Sequence, residues 1–419
     1  MAILKNKTIR KSIIVTIIIL LIFRIGCAVP VPFINSDMME TLFGSDSLFD
    51  YADMLTGGAL SQCSVFALGI TPFINASIVM QLLGIAFDSL KDMQNGDQTD
   101  REKYDRITKI VGAAFSAIMG VGYYFIIKDY DALEYTNGKS GIASAITICF
   151  IFVLGSLICC WLSTLIDEIG AGSGMSLLIF AGIVVRLSSL PEFLSTVTAA
   201  WKGKDMNTAI AGTFIILFVL FAILYICYMS GSEVKVPISY AGSPRRSELP
   251  LKIMFGGVLP VIFATTVLSI PETVAVFLDS SSKAYAILSA WDTDNWIYIG
   301  VFALLIFAMN AYYTTTQFSP EETAQRLKEG GAVIPGVRPG KPTAEYLRKN
   351  VNKLICCGAL ALCIIAVVPM ATAKISGLSV SFGGTSLIIV CSVALEVCAR
   401  IKGQMVSYGY SDSIWGVKR

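Results

Sequence analysis

Ten runs of mainly apolar residues, beginning near Ile13, Thr71, Ile107, Ile142, Gly174, Thr208, Leu251, Trp296, Val351 and Phe382, constrain this chain more than any other feature. A helix needs about 20 such residues to cross the hydrocarbon of a bilayer. The expected fold is therefore an all-α membrane protein with ten transmembrane helices. Only 15% of the 419 residues are charged, against roughly a quarter in soluble domains. The chain has no histidine, which removes Ser-His-Asp and Cys-His centres, histidine-held metals or haem, and imidazole proton relays. Most enzyme classes are weakened by that one absence, and no cofactor is expected.

Sorting the charges orients the spans, because cytoplasmic loops retain Lys and Arg. With the N-terminus inside, 24 basic residues fall in cytoplasmic segments and 6 in external ones, while the external segments hold 14 acidic residues. The first external loop carries Asp37, Glu40, Asp46, Asp50 and Asp53 and no basic residue. Both termini are expected in the cytoplasm. Lys5, Lys7, Arg10 and Lys11 precede the first run without a small-residue cleavage site after it, so this run reads as a retained helix. The net charge of +2 reflects this partition and implies no nucleic-acid readout. Arg24 and Arg186 lie towards the outer ends of apolar runs. Snorkelling or pairing accounts for them there, although a buried arginine can also mark a pathway. The eleven cysteines have neither zinc-ribbon nor disulfide spacing and read as small core residues.

One stretch does not behave like a span. Leu55 to Phe87 is 33 residues long, longer than one crossing uses, and is interrupted by Gly57-Gly58, Gly69 and Pro72. Proline after glycine stops a helix and reorients the chain. A half-helix from Thr56 to about Phe66, entering from outside without crossing, followed by a span from Pro72 to Phe87, fits this pattern; a long kinked helix is the alternative. Non-helical backbone at membrane depth is tolerated only inside protein or beside a water-filled cavity, so the half-helix implies an internal cavity. Ten spans also divide as five plus five, the arithmetic of an inverted repeat.

Two long cytoplasmic loops stand out. In the 317–352 loop, Ser319-Pro320-Glu321-Glu322 has the cap, first-turn proline and acid of a capping box, and Gly330-Gly331 ends the helix. A second helix starts near Pro342. Between them, Ile334-Pro335-Gly336-Val337-Arg338-Pro339-Gly340-Lys341 forms a stiff tip with two cations. It is no phosphate loop, because three residues rather than four separate the glycines and proline follows the lysine. A charged rigid protrusion suits docking of a cytoplasmic partner; a merely solvated turn is the alternative. In the 231–252 loop, Val234, Val236, Ile238 and Tyr240 alternate with polar residues or proline, which predicts a hairpin and a second docking surface. Gly170, Gly172 and Gly174 lack the strand and acid of a dinucleotide site and read as a close-packing approach to the fifth span.

Five ordered stretches resemble one family, SecY, the central subunit of the bacterial protein-conducting channel. They are Phe66-Ala67-Leu68-Gly69-Ile70-Thr71-Pro72-Phe73-Ile74-Asn75-Ala76-Ser77-Ile78 with Gln81-Leu82-Leu83; Ser176 to Ile183; Leu259-Pro260-Val261-Ile262-Phe263-Ala264; the Pro335–Lys341 tip; and Phe382-Gly383-Gly384-Thr385-Ser386-Leu387. The resemblance implies two pseudo-symmetric five-helix halves, 1–200 and 201–419, around an hourglass pore that passes unfolded chains and opens sideways to release hydrophobic helices into lipid. It implies a plug, placed on Thr56, Gly57, Gly58, Ala59, Leu60, Ser61 and Gln62. It further implies an apolar pore ring, placed on Ile74, Ile78, Ile179, Ile183, Ile262 and Ile389, with Ile388 able to replace Ile389. Ile74/Ile78 and Ile179/Ile183 are i, i+4 pairs, each on one helical face; ordinary helix packing is the alternative reading of such pairs.

The family's lateral gate would fall on Asn75 and Gln81 opposite Thr265 and Thr266, where hydrogen bonds between helices contribute on the order of 1 kcal/mol. Arg338 matches the family's tip arginine. With Lys341, Lys235, Arg245 and Arg246, it implies docking of a SecA motor ATPase or the ribosome. SecE-like and SecG-like small subunits, signal sequences and nascent chains, and the lipid bilayer complete the implied partners. The sparse positive charge of the 231–240 hairpin, Asp167 and Glu168 between helices four and five, and the tail after Arg400 depart from the family pattern. The implied protein is a passive channel of the cytoplasmic membrane without bond chemistry. Its rivals are a small-solute carrier, which would place polar groups where isoleucines stand here, and an intramembrane enzyme, which lacks a convincing acid–base pair.

Overall fold

The computed structural model describes residues 7–35, 53, 56–129, 133, 141–186, 190–203, 206–240, 246–253, 259–276, 296–376 and 384–407. Thirteen helices and three strands are described. They are α1 (Lys7–Cys27), α2 (Thr71–Ala86), α3 (Asp88–Asn95), α4 (Gln98–Asp129), α5 (Gly141–Ile169), α6 (Gly174–Arg186), α7 (Leu190–Gly203), α8 (Met206–Gly231), β1 (Glu233–Tyr240), β2 (Arg246–Lys252), α9 (Leu259–Val276), α10 (Trp296–Gln317), α11 (Pro320–Glu329), β3 (Ala332–Val333), α12 (Lys341–Ser376) and α13 (Gly384–Ser407). Each of the ten apolar runs carries a helix. Among the described residues, five stretches are long and apolar enough to cross a bilayer: Gln98–Lys128, Ser144–Ile169, Gly212–Gly231, Trp296–Glu329 and Lys341–Val368. The α2–α3 pair bends by 117°, and the apolar parts of α6 and α9 are shorter than one crossing.

The chain forms two compact units. One comprises Met1–Phe193, Glu272–Ala286 and Glu396–Arg419; the other comprises Leu194–Pro271 and Ile287–Leu395. In the first, glycines set how closely the helices approach. The Phe73 ring of α2 lies where a β-carbon on Gly112 of α4 would stand, 2.3 Å away. The Thr16 hydroxyl of α1 accepts a 3.0 Å bond from the Ala171 N–H after α5. In the second unit, α10 and α12 pair along their length. Asn310 Nδ2 donates to the Ile355 carbonyl at 3.0 Å, and the Cys363 thiol to the Ala303 carbonyl at 3.4 Å.

The expected hairpin is present. β1 and β2 pair antiparallel from Glu233↔Lys252 to Ser239↔Arg246. Val236 and Ile238 turn inward, while Val234 and Tyr240 stay exposed. β3, which sequence reading did not anticipate, pairs with Ser239 and Tyr240 and gives the order β2-β1-β3. Val236, Leu251, Ala324, Ile334, Leu347 and Leu354 close one small core beneath it, so both long loops fold as one body. A two-residue strand has no period of its own, and its partner lies over ninety residues away in the chain.

Three expectations need correction, and one helix lies where none was foreseen. The half-helix over Thr56–Phe66 does not form; the chain runs in successive turns from Gly57 to Ile70. Gly57, Gly58 and Cys63 have φ of 70°, 84° and 46°, which a right-handed helix cannot include. The Thr56, Ser61 and Ser64 hydroxyls also bond nearby carbonyls, competing with helical pairing. The apolar run near Leu251 starts as strand, and its helix begins only at Leu259. The cysteines are not all core residues, since Cys227, Cys356, Cys357 and Cys398 are exposed on helix surfaces; a small side chain carries little apolar area and is not compelled inward. Helix α7, between the fifth and sixth runs, was not expected; its Val197 packs on Gly212 and the Trp201 indole donates to Thr213 at 3.1 Å.

Candidate functional site

The irregular stretch before α2 is the most unusual backbone in the first unit. Its start is knit together internally. The Gly58 N–H donates to the Asp53 carbonyl at 3.0 Å, the Ser61 N–H to Asp53 Oδ1 at 2.8 Å and the Gln62 N–H to the Gly58 carbonyl at 3.3 Å. Three side chains reach these turns from neighbouring helices. Arg24 of α1 donates from Nη1 to the Gly57 carbonyl at 3.3 Å, the Cys27 thiol to the Thr56 carbonyl at 3.8 Å, and the Tyr123 hydroxyl of α4 to the Leu60 carbonyl. Arg24 is therefore paired, with a backbone carbonyl; the Arg186 side chain lies outside the described ones. A β-carbon on Gly57 would stand 2.6 Å from Arg24 Nη1 and 2.7 Å from the Gly182 backbone of α6. Only glycine fits there, on both φ and space.

The later part of the stretch is held by backbone instead. The Val31 N–H donates to the Cys63 carbonyl and the Val65 N–H to the Val29 carbonyl, both at 3.0 Å, flanking the Pro30–Ser64 bridge. Phe66 stacks on Phe23 at 5.9 Å, over Gly26. Val65 passes so close to α5 that a β-carbon on Gly155 would stand 1.9 Å from its carbonyl oxygen. Thr56, Gly57, Ala59 and Leu60 are buried, Gly58 and Ser61 half-buried and Gln62 exposed.

All six candidate ring isoleucines are buried, none more than 6% exposed. Ile74 and Ile78 lie on α2, Ile179 and Ile183 on α6, Ile262 on α9 and Ile389 on α13; the Ile388 side chain lies outside those described. Gly182, beside Ile183, meets Gly57 directly, so the same part of α6 carries two candidate ring residues and contacts the turns. The described bonds of the gate candidates reach their own helix or a neighbouring one. Gln81 donates to Ser77 at 3.1 Å, and Asn75 approaches Met119 Sδ at 3.9 Å while its buried Oδ1 has no partner among the described residues. The Thr265 and Thr266 hydroxyls each donate to the Ile262 carbonyl at 2.8 Å, one turn back on α9.

The sheet body displays the docking candidates. Arg338 and Lys341 are exposed at the tip, where Gly336 and Gly340 take φ of 84° and 99°. The Arg338 carbonyl accepts from Thr343 at 2.8 Å, which fixes the turn while leaving the guanidinium outward. Ile334 anchors the tip in the core. Lys235 pairs with Glu248 across the hairpin at 3.1 Å; Arg245 and the Arg246 side chain lie outside what is described. Ser319 caps α11 as expected, accepting from the Glu322 N–H at 3.4 Å. Glu321 ties α11 to Arg348 of α12.

Many apolar helices, an irregular backbone segment packed among those of the first unit and a folded appendage with exposed cations define a multi-pass membrane protein. A family model described as SecY matches residues 64–398. The protein translocase subunit SecY of Streptococcus gordonii is 34% identical across 97% of this chain and 96% of its own length, and that of Bacillus subtilis is 32% identical across 96% of each. The chain belongs to the SecY family. The solved structure of a protein conducting channel matches with a TM-score of 0.66 at 16% identity, over 99% of this chain and 96% of that one. Sec61 in the canine ribosome–channel complex from the endoplasmic reticulum matches with the same score, identity and coverage. The fold is that of the SecY/Sec61 channels.

Proposed function

We propose that this protein is the channel of a membrane protein translocase, passing unfolded polypeptides across the cytoplasmic membrane and releasing hydrophobic helices sideways into lipid. The observation that carries this reading is the buried, turn-rich stretch from Thr56 to Ile70, in a chain of the family whose relatives are named protein translocase subunits. One solved structure with this fold carries a plug domain said to stabilise the closed state of its channel. Here the Thr56–Gln62 turns fill that role. The ten helix-bearing runs act as ten spans in two halves, with both termini in the cytoplasm as the charge sorting requires. Ile74, Ile78, Ile179, Ile183, Ile262 and Ile389 form the waist. A passing chain presents every kind of side chain, so the waist should bind none; branched alkyl groups make no fixed hydrogen-bonding demand, deform by rotamer change and disfavour water and ions.

Asn75, Gln81, Thr265 and Thr266 lie at the lateral seam. Weak closure there lets a signal sequence with modest differential affinity shift the equilibrium. Motive force comes from outside, through a SecA-type ATPase or the ribosome docked on Arg338, Lys341, Lys235, Arg245 and Arg246; SecE-like and SecG-like helices brace the channel. Reconstituted with such small subunits and a SecA-type ATPase, the protein should move a secretory precursor into vesicles in an ATP-dependent, protease-protected manner. Vesicles that load no precursor with this chain, yet do so with a characterised relative, would remove the proposal.

A further inference from the structure

The bonds around the Thr56–Ile70 stretch change in kind near Cys63, although the Ser64 N–H and hydroxyl both reach back across it to the Ala59 carbonyl, at 3.0 and 3.1 Å. Before it, Thr56–Gln62 is closed on itself through Asp53–Ser61 and Gly58–Gln62, and its described polar ties to the surrounding helices are side-chain bonds. After it, Cys63 and Val65 are paired backbone to backbone with residues 29–31, and Phe66 is wedged between Phe23 and Gly26. Cys63 itself has a φ of 46°, a conformation that a residue with a side chain adopts at a cost. A stretch tied by backbone pairing on one side and by side-chain bonds on the other yields first where the side chains hold it.

We propose that Arg24 and Tyr123 are positioning residues that latch the Thr56–Gln62 turns through the carbonyls of Gly57 and Leu60, and that the turns loosen when these bonds are lost while Val31 and Val65 keep their backbone pairing. The proposal rests on the channel reading above. Arg24 supplies a charged donor inside an apolar helix, and Tyr123 supplies a hydroxyl from a fully enclosed ring packed on Phe152 at 5.3 Å. Both grip backbone oxygens rather than side chains, and at Gly57 the absence of a β-carbon leaves Arg24 room to do so. It also separates the moving part from the collar: Val31 and Val65 keep their amide bonds when Arg24 and Tyr123 let go.

The test uses the full chain reconstituted with its small partner subunits in planar bilayers, with a synthetic signal peptide as the opening probe. Arg24→Gln and Tyr123→Phe, which removes only the hydroxyl, should each raise resting ion conductance, on the order of tenfold in the open-to-closed ratio. Amide exchange of Thr56–Gln62 should accelerate in both, with Val31 and Val65 as protected as in the parent. Two variants guard against misfolding, since Tyr123→Phe keeps the ring packing if Arg24→Gln is lost to aggregation. Parent-like conductance in the folded variants, or exchange that spreads equally to Val31 and Val65, overturns the latch. A parent protein with no peptide-induced conductance at all instead overturns the channel reading on which it depends.

Discussion

Adding one methyl group at Gly155 should loosen the collar, because the space it needs is occupied by the backbone of Val65. An ideal β-carbon there would lie 1.9 Å from the Val65 carbonyl oxygen, 3.0 Å from its carbonyl carbon and 3.3 Å from Phe66 Cδ1. An ordinary carbon–oxygen contact is about 3.3 Å, so Val65 must retreat by about 1.4 Å or α5 must shift. Retreat strains the 3.0 Å bond from Val65 N–H to Val29 and the stacking of Phe66 on Phe23. Overpacking costs roughly 1–3 kcal/mol and a lost buried hydrogen bond roughly the same. Against this, alanine favours a helix over glycine by about 0.5–1 kcal/mol. The clash wins, and Gly155→Ala should destabilise by about 1–5 kcal/mol. Thermal unfolding in detergent should show a lower midpoint, and reconstituted channels should leak ions at rest. An unchanged or higher midpoint with a tight seal would show that the close approach at Gly155 has no energetic consequence.

Three further outcomes can be measured. Ile183→Asn or Ile78→Asn should raise resting conductance in planar bilayers; a loss of stability without leak would mean that these isoleucines are packing residues alone. Arg338→Glu should impair motor-driven translocation while leaving the ion seal intact, and the reverse pattern would contradict a docking role. Leu347→Ala, at a fully buried position under the sheet, should cost about 2–5 kcal/mol and expose the 318–340 loop to protease. It should slow translocation without added leak; an uncut loop would show that the shared core is not what holds this body together.

That each apolar run carries a helix was legible because a long apolar run is its own signal, and the Ser319 cap and the hairpin because their chemistry is local. The turns at 57–70 were legible as an interruption but not in their conformation. Glycine and proline announce a break, yet nothing before the fold is known requires Cys63 to take a positive φ; that follows from Val31 and Tyr123, which are distant in sequence. Arg24 was visible as an anomaly with its partner open, since the partner is a carbonyl and every residue has one. The end of β2 and start of α9 were misread for a related reason. Leu251 is apolar because it closes the core with Val236 and Leu347, so burial under a sheet looked like the beginning of a span.

The small sheet has a mechanical corollary. Through β1 the exposed tip is stitched to the end of α8, and through Lys341 it is continuous with α12. A pull or push on Arg338 is therefore shared between the feet of two separate helices and cannot be absorbed by a slack loop. Whatever grips that knuckle holds a handle, and torque applied to it is delivered to the helices as a pair.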